Sequence, residues 1–169
     1  DRVFRNRIFS SPTGHSDMSL EGKHSEDVIA YYARKAKGGA AAVTMGEAVV
    51  DSKYGYQYPL QIRLDNMGSM PTLGRMADCV SRHGAVASIE LQHAGMGATP
   101  TQGNPIYGPS ECVENGVPVL EMPEEIIWET IEKYAKAART VKNMGFGMVT
   151  VHAGHGWLLN QFFAPRINK

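Results

Sequence analysis

A chain of 169 residues in which 17 Lys and Arg balance 17 Asp and Glu has no net charge to draw it to nucleic acid, a polyanion or an anionic membrane. Its composition, 43% hydrophobic and 20% charged, is that of a globular domain able to bury a sizeable core. No run reaches the ~18 apolar residues that span a bilayer, and no apolar stretch follows the charged residues 1–7 as a secretory signal requires. Cys79 and Cys112 lie far apart with no CxxC pair, the pattern of two reduced thiols in a cytoplasmic protein.

Residues 8–13 read as a first strand running into a loop at Gly14. Residues 24–37 follow with Val28, Ile29, Tyr32 and Ala36 on one helical face, Ser25 as N-cap and Gly38-Gly39 as the stop. Residues 40–45 form a short apolar run, as expected of a strand buried on both faces. The Tyr-, Gly- and Asp-rich stretch 50–67 reads as a long loop, with Tyr54, Tyr56 and Tyr58 packing it or, as the alternative, lining a substrate entrance. Residues 70–83 predict a second helix, and 85–91 a third strand. The Gly- and Pro-rich stretch 95–119 predicts another long loop. Pro123, Glu124 and Glu125 open an amphipathic helix to about Asn143, since proline and acids suit a first turn. Residues 148–152 are the fourth strand, and no helix is expected beyond Ala164.

Strands alternating with helices predict an α/β fold with a parallel sheet. Gly14-His15, Gly46-Glu47, residues 90–93 and residues 152–155 all fall at or just past the ends of strands. Gathering unusual residues at one end of every strand is how a barrel enzyme places its site, and no GxGxxG follows the first strand. A TIM (β/α)8 barrel takes roughly 250 residues. The expectation is therefore the N-terminal half of a TIM barrel, with about four parallel strands in residues 1–169 and the C-terminal half missing.

The sharpest local feature is VHAGHGWLLNQFF at 151–163. His152 ends a strand and His155 sits in the next turn, so both imidazoles can face one cavity. Taken alone, the pair fits packed or capping histidines, a metal site completed by Glu90 and His93 in a barrel hydrolase, or donors to a substrate. His15, His24 and His83 read as surface or capping groups, and Lys35, Lys37, Lys133 and Lys136 as solvated helix faces.

That segment resembles the fourth-strand signature of the Old Yellow Enzyme family, the FMN-binding NADH:flavin oxidoreductases. Further matches keep the same order: Asn6-Arg7-Ile8 with Ser11-Pro12-Thr13, Tyr31 to Gly39, Gly46-Glu47-Ala48, residues 91–95, Gly108-Pro109-Ser110, and Asn168-Lys169. The resemblance covers essentially the whole chain. It implies an FMN across the barrel mouth, with NADH or NADPH as reductant, and reduction of activated C=C bonds in small α,β-unsaturated carbonyl substrates.

By position, the resemblance sets the backbones of Pro12, Thr13 and Ala48, together with Gly14, beside the isoalloxazine and Glu90 at its pyrimidine edge. His152 and His155 would hold the substrate's carbonyl oxygen, and Trp157 and His93 would line the substrate. Fixed N–H donors aimed there stabilise the charge that develops on that oxygen. Four positions depart from the family: Glu90 stands for Gln, Trp157 for a proton-donating Tyr, Gly14 for Thr or Cys, and Met96 for Arg. These departures look closer to the 2-enoate, 2,4-dienoyl-CoA and bile-acid-type reductases, in which a 4Fe-4S cluster lies in the C-terminal part. No nucleic-acid or membrane partner is expected, and a homo-oligomer stays open. A non-catalytic fragment is a further alternative, since the FMN phosphate site of such barrels comes from late loops.

Overall fold

The computed structural model describes residues 2–99 and 103–169, so Asp1 and the middle of the second long loop, 100–102, lie outside the described residues. The chain runs β1 (Phe9–Thr13), α1 (Glu26–Lys37), β2 (Ala42–Val49), β3 (Ile62–Arg63), α2 (Met70–Ser81) and β4 (Val86–Gln92). It continues through β5 (Ile106–Gly108), β6 (Cys112–Glu114), β7 (Val117–Glu121), α3 (Glu124–Asn143), β8 (Met148–Val151) and α4 (Leu158–Phe163).

The helices form where periodicity and end signals agree. In α1, Val28, Ile29, Tyr32 and Ala36 are buried and the Ser25 side chain accepts from the Val28 N–H. Glu26 and Asp27 in its first turn, and Arg34, Lys35 and Lys37 in its last, complement the helix dipole. Pro71 enters the first turn of α2, where its missing N–H costs nothing. Below it, Leu73, Met76, Ala77 and Val80 are buried. Full burial of each large apolar side chain contributes about 1.5–3 kcal/mol of transfer free energy.

The main sheet has the order β1-β2-β4-β8, with β3 also beside β2, and every pairing in it is parallel. Each strand lies next to the one before it, and α1, α2 and α3 make the three crossovers. A doubly wound sheet would reverse direction at a switch point; this order keeps one sense, as a barrel wall does. The sheet is thus a partial TIM barrel. Val43, Met45, Ala87, Ile89, Leu91 and Val149 pack towards the helices in the main core. Alternation then gives the other face to Thr44, Ser88, Glu90 and Thr150, with Ser88 Oγ and Thr150 Oγ1 3.4 Å apart across it. At the far end of the strands, Arg5 ties the layers by donating to the carbonyls of Ala36, Ala40 and His83.

Four differences from the sequence expectation affect the site. β2 runs on to Val49, with an irregularity between Met45 and Ala48, so Gly46 and Glu47 lie within the strand. The loop after β2 contains β3 and is pinned where Asp65 accepts from the Ser52 N–H and hydroxyl at 2.7 and 2.6 Å. The loop before α3 holds a second sheet of order β5-β7-β6, with its own core of Ala94, Ala98, Ile106 and Val119. Finally, LLNQFF forms the short helix α4. Among the described residues, β1 and β8 each pair on one side only, and Phe9 and Val151 on them are about half exposed.

Candidate active site at the barrel mouth

The C-terminal ends of the main strands surround a depression of about 350 Å3. β1 contributes Ser11 and Pro12, followed by Gly14; β2 contributes Glu47 and β4 Glu90; the segment after β8 supplies His152, His155 and Trp157. The volume falls in the ~300–1,000 Å3 range of small-molecule sites. A neighbouring hollow of about 500 Å3 shares Gly14 and Glu47 with it, and one of about 580 Å3 shares His155 and Trp157.

Strand geometry aims these groups. Glu90 sits opposite Thr150 in the β4–β8 register, and the His152 N–H bonds to the Leu91 carbonyl at 3.0 Å, so Glu90 and His152 emerge side by side. The irregularity in β2 turns Glu47 towards the same space. It is possible because Gly46 has no side chain: a Cβ there would lie 3.1 Å from both the Thr13 nitrogen and the Pro12 Cβ. His155 has φ +54°, the left-handed region that histidine and asparagine enter more readily than most residues. That turn is held by Gln161, which donates to the Gly156 and Ala94 carbonyls at 2.6 and 3.1 Å and accepts from the Met96 N–H at 3.1 Å.

The imidazoles of His152 and His155 converge, with ring centroids 5.1 Å apart and Nε2 of the first 3.2 Å from Nδ1 of the second. On the inner side, Nδ1 of His152 lies 3.3 Å from Glu90 Oε1. Burial holds the Glu90 carboxyl above its ordinary range, opposed by His155. Glu47 is raised as well, first by burial and further by the Glu90 charge, against a hydrogen bond from Gln61. His152 is lowered by burial and then by its neighbour His155, with Glu47 opposing. Trp157 leans on His152 at 5.8 Å between ring centroids and packs against the small second core.

Six of the predicted site residues therefore meet in one depression: Pro12, Gly14, Glu90, His152, His155 and Trp157. The side chains of three others do not line it. Thr13 is turned towards α1, its carbonyl accepting from Tyr32 and its hydroxyl lying 3.2 Å from Lys35 Nζ. Ala48 is fully buried, paired with Leu91 and Ile62. His93 is a correction to the expectation of a substrate-lining group: it is 1% exposed, with Nδ1 accepting from the Gly95 N–H and Nε2 4.0 Å from Asp51. Burial keeps it neutral by lowering its pKa. The metal set drawn from His93, His152, His155 and Glu90 is not assembled, and no cluster of three or more His, Cys, Asp or Glu among the described residues is placed to hold a metal ion.

Other minor expectations also change. His24 is buried rather than superficial, and His15 stacks edge-on against Tyr31 at 4.5 Å. Lys133 bridges Asp51 and Glu129 at 2.8 and 2.7 Å rather than lying free in solvent. Tyr54 is buried against Tyr107 as well as under Lys53 of its own loop, where Arg63 likewise covers Tyr56. Cys79 and Cys112, by contrast, stand as read from the sequence, as free thiols. Sequence reasoning missed Ser11 and Glu47 in the lining and Gln161 behind it. Glu47 had a visible signal, its place beside Gly46 at the end of an apolar run; Gln161 had none.

A parallel wall of consecutive strand–helix units, with its polar groups at the carboxyl ends, defines part of a (β/α)8-barrel with a mouth site. Residues 1–169 match the profile of the NADH:flavin oxidoreductase / NADH oxidase family, and the chain belongs to that family. An NADH oxidase of Thermoanaerobacter brockii is 32% identical over 171 residues, which are 99% of this chain and 26% of the relative. An NADPH dehydrogenase of Listeria monocytogenes serotype 4a is 32% identical over 173 residues, 100% of this chain and 50% of the relative. Among solved structures, a 2-naphthoyl-CoA reductase in complex with 2-naphthoyl-CoA superposes with a TM-score of 0.88 at 25% identity, over 99% of this chain and 28% of that one. The Old Yellow Enzyme of a Pichia species has the same TM-score at 24% identity, over 98% of this chain and 47% of its own, and shares the fold. The chain spans between about a quarter and a half of the length of these relatives. None of its helices, among the described residues, is long and apolar enough to cross a membrane.

Proposed function

We propose that residues 1–169 form the first half of an FMN-dependent NAD(P)H oxidoreductase barrel that reduces activated C=C bonds of α,β-unsaturated carbonyl compounds. The observation that carries this reading is the convergence of His152 and His155, 3.2 Å apart, beside Glu90 in one depression. Family membership supports the flavin. The walls suit a flat ring: backbone and small groups at Ser11, Pro12 and Gly14 leave one side open, and Glu47 and Glu90 supply a polar border. None of the residues lining the depression is Lys or Arg, so these walls suit the ring rather than the phosphate.

Bound FMN would supply the hydride. The chain's own part is to bind, orient and polarise. The imidazole pair faces the substrate's carbonyl oxygen and stabilises charge arriving there; loss of one such donor typically costs about 10²–10³ in rate. Trp157 serves as an apolar wall, because an indole N–H is a donor only and does not give up its proton at neutral pH. The two free thiols, Cys79 and Cys112, suit a cytoplasmic enzyme.

Two measurements test this. Anaerobic flavin in the longest polypeptide carrying these residues is expected to bleach with NADH or NADPH and to recover its colour when a cyclic enone is added. Recovery with oxygen alone would refute the substrate class. The isolated 169 residues are expected to bind FMN weakly and no better than riboflavin; tight binding that needs the phosphate would refute the assignment of the walls.

A further inference from the structure

This inference rests on the flavin-dependent reading and deepens it towards the shape of the substrate. Three hollows meet at the mouth. The depression of about 350 Å3 holds the imidazole pair, and hollows of about 500 and 580 Å3 adjoin it. Gly14 and Glu47 are common to the depression and the first of these, and His155 and Trp157 to the depression and the second. Among the described residues, Tyr58 is the lining residue that the two outer hollows share. It is 49% exposed, so it stands up between them rather than packing beneath its loop.

A buried amide holds Tyr58 in place. β3 lies beside β2 with Ile62 opposite Ala48, which brings together the residues that precede them, Gln61 and Glu47. Gln61 is 3% exposed. Its Oε1 accepts from the Gln57 and Tyr58 N–H groups at 3.1 and 3.0 Å, and its Nε2 donates to Glu47 Oε1 at 3.3 Å. Two N–H donors on one side and a carboxyl oxygen on the other leave the amide a single orientation. Pro59 follows Tyr58 and disfavours helical backbone there, so the segment 57–61 closes as a short turn around the Gln61 side chain.

We propose that Tyr58 is a specificity-determining wall of the mouth, and that Gln61 is the positioning residue that sets this wall from Glu47. A ring lying over the depression can extend a substituent into one outer hollow or the other, but no rigid body fits across both. Small or singly branched cyclic enones are the substrates this shape admits, and rigid fused-ring enones are those it turns away. Tyr58 meets the far part of the substrate and not the reacting atoms, so the discrimination resides in KM rather than kcat.

The test compares cyclohexenone with testosterone, a fused four-ring enone, as oxidants of the reduced flavin in the longest polypeptide carrying these residues. The native protein is expected to favour cyclohexenone. Tyr58→Ala should raise the kcat/KM of testosterone relative to cyclohexenone by about tenfold, through KM. Gln61→Met, which keeps the length of the side chain without its amide, should move the ratio the same way and add nothing once Tyr58 is Ala. Asp65→Asn, which weakens the pin to Ser52 in the same loop, should leave the ratio within about twofold. A ratio unmoved in Tyr58→Ala would overturn the proposal, as would an additive effect of Gln61→Met in that background or an equal shift in Asp65→Asn. Reduction of neither enone would instead sink the flavin-dependent reading. A second measurement needs no flavin. In the 169-residue chain the Gln57 and Tyr58 amides are expected to be protected from hydrogen exchange, and to exchange roughly fivefold faster or more in Gln61→Met. Unprotected amides in the native chain would overturn the role of Gln61 whatever the flavin does.

Discussion

Replacing Gln161 with Leu removes the side chain that fastens the histidine turn. Gln161 is 2% exposed and makes three hydrogen bonds: to the Ala94 and Gly156 carbonyls and from the Met96 N–H. The Ala94 carbonyl keeps a second partner in the Gly97 N–H. Each bond has a net worth of about 1 kcal/mol, and a buried backbone group left unpaired costs about 1–3 kcal/mol. The expected loss is about 3 kcal/mol, or roughly 6–12 °C in Tm for a domain of this size. Urea unfolding followed by tryptophan fluorescence measures it. Gln161→Glu is expected to be worse than Leu, because a carboxylate would face two carbonyl oxygens. If Gln161→Leu stays within about 0.5 kcal/mol of the native chain, or if Glu is the milder substitution, the assigned network is wrong.

Three further outcomes are expected. His24 is buried and its pKa lies at about 4 instead of 6.5, mainly through burial. The unfolded chain takes up its proton first as pH falls, so this stability is complete above pH 6.5 and declines towards pH 4; by pH 5 about 2 kcal/mol is gone. Urea midpoints at pH 7 and pH 5 should therefore separate less in His24→Leu than in the native chain. At His155, held at φ +54°, Asn should fold nearly as stably as His, whereas β-branched Val should lose about 1–2 kcal/mol in thermal unfolding. Gly55→Ala would set a Cβ 2.6 Å from the buried ring of His93, and calorimetry should record a loss of about 1–3 kcal/mol.

The barrel wall was legible because its signals are local. Apolar runs, one-faced helices, the Ser25 cap and the acids opening α3 each act within a few residues, and tertiary packing agreed with all of them. The hidden parts depend on distant partners. β5, β6 and β7 are three to five residues long and embedded in Gly- and Pro-rich sequence, so only their pairing reveals them. α4 has six residues and no side-chain cap, too little for helical periodicity to register. His93 looked like a lining group because it follows a strand; the space it fills is defined by Asp51 and Gly55, about forty positions earlier. Glu90 and the two histidines were visible as residue types at strand ends, but their order in a row comes from the β4–β8 register.

The second sheet and the histidine turn share Trp157, whose indole touches the small cluster around Ile106 and Val119 and also leans on His152. The turn thus draws its rigidity from a handful of side chains outside the main hydrophobic mass. Amide exchange should resolve two tiers: β5 to β7 and the turn after β8 opening together at modest free energy, and β2 and β4 only on global unfolding. Sequence drift in the covering strands would then retune the stiffness of the imidazole pair while leaving the barrel wall intact.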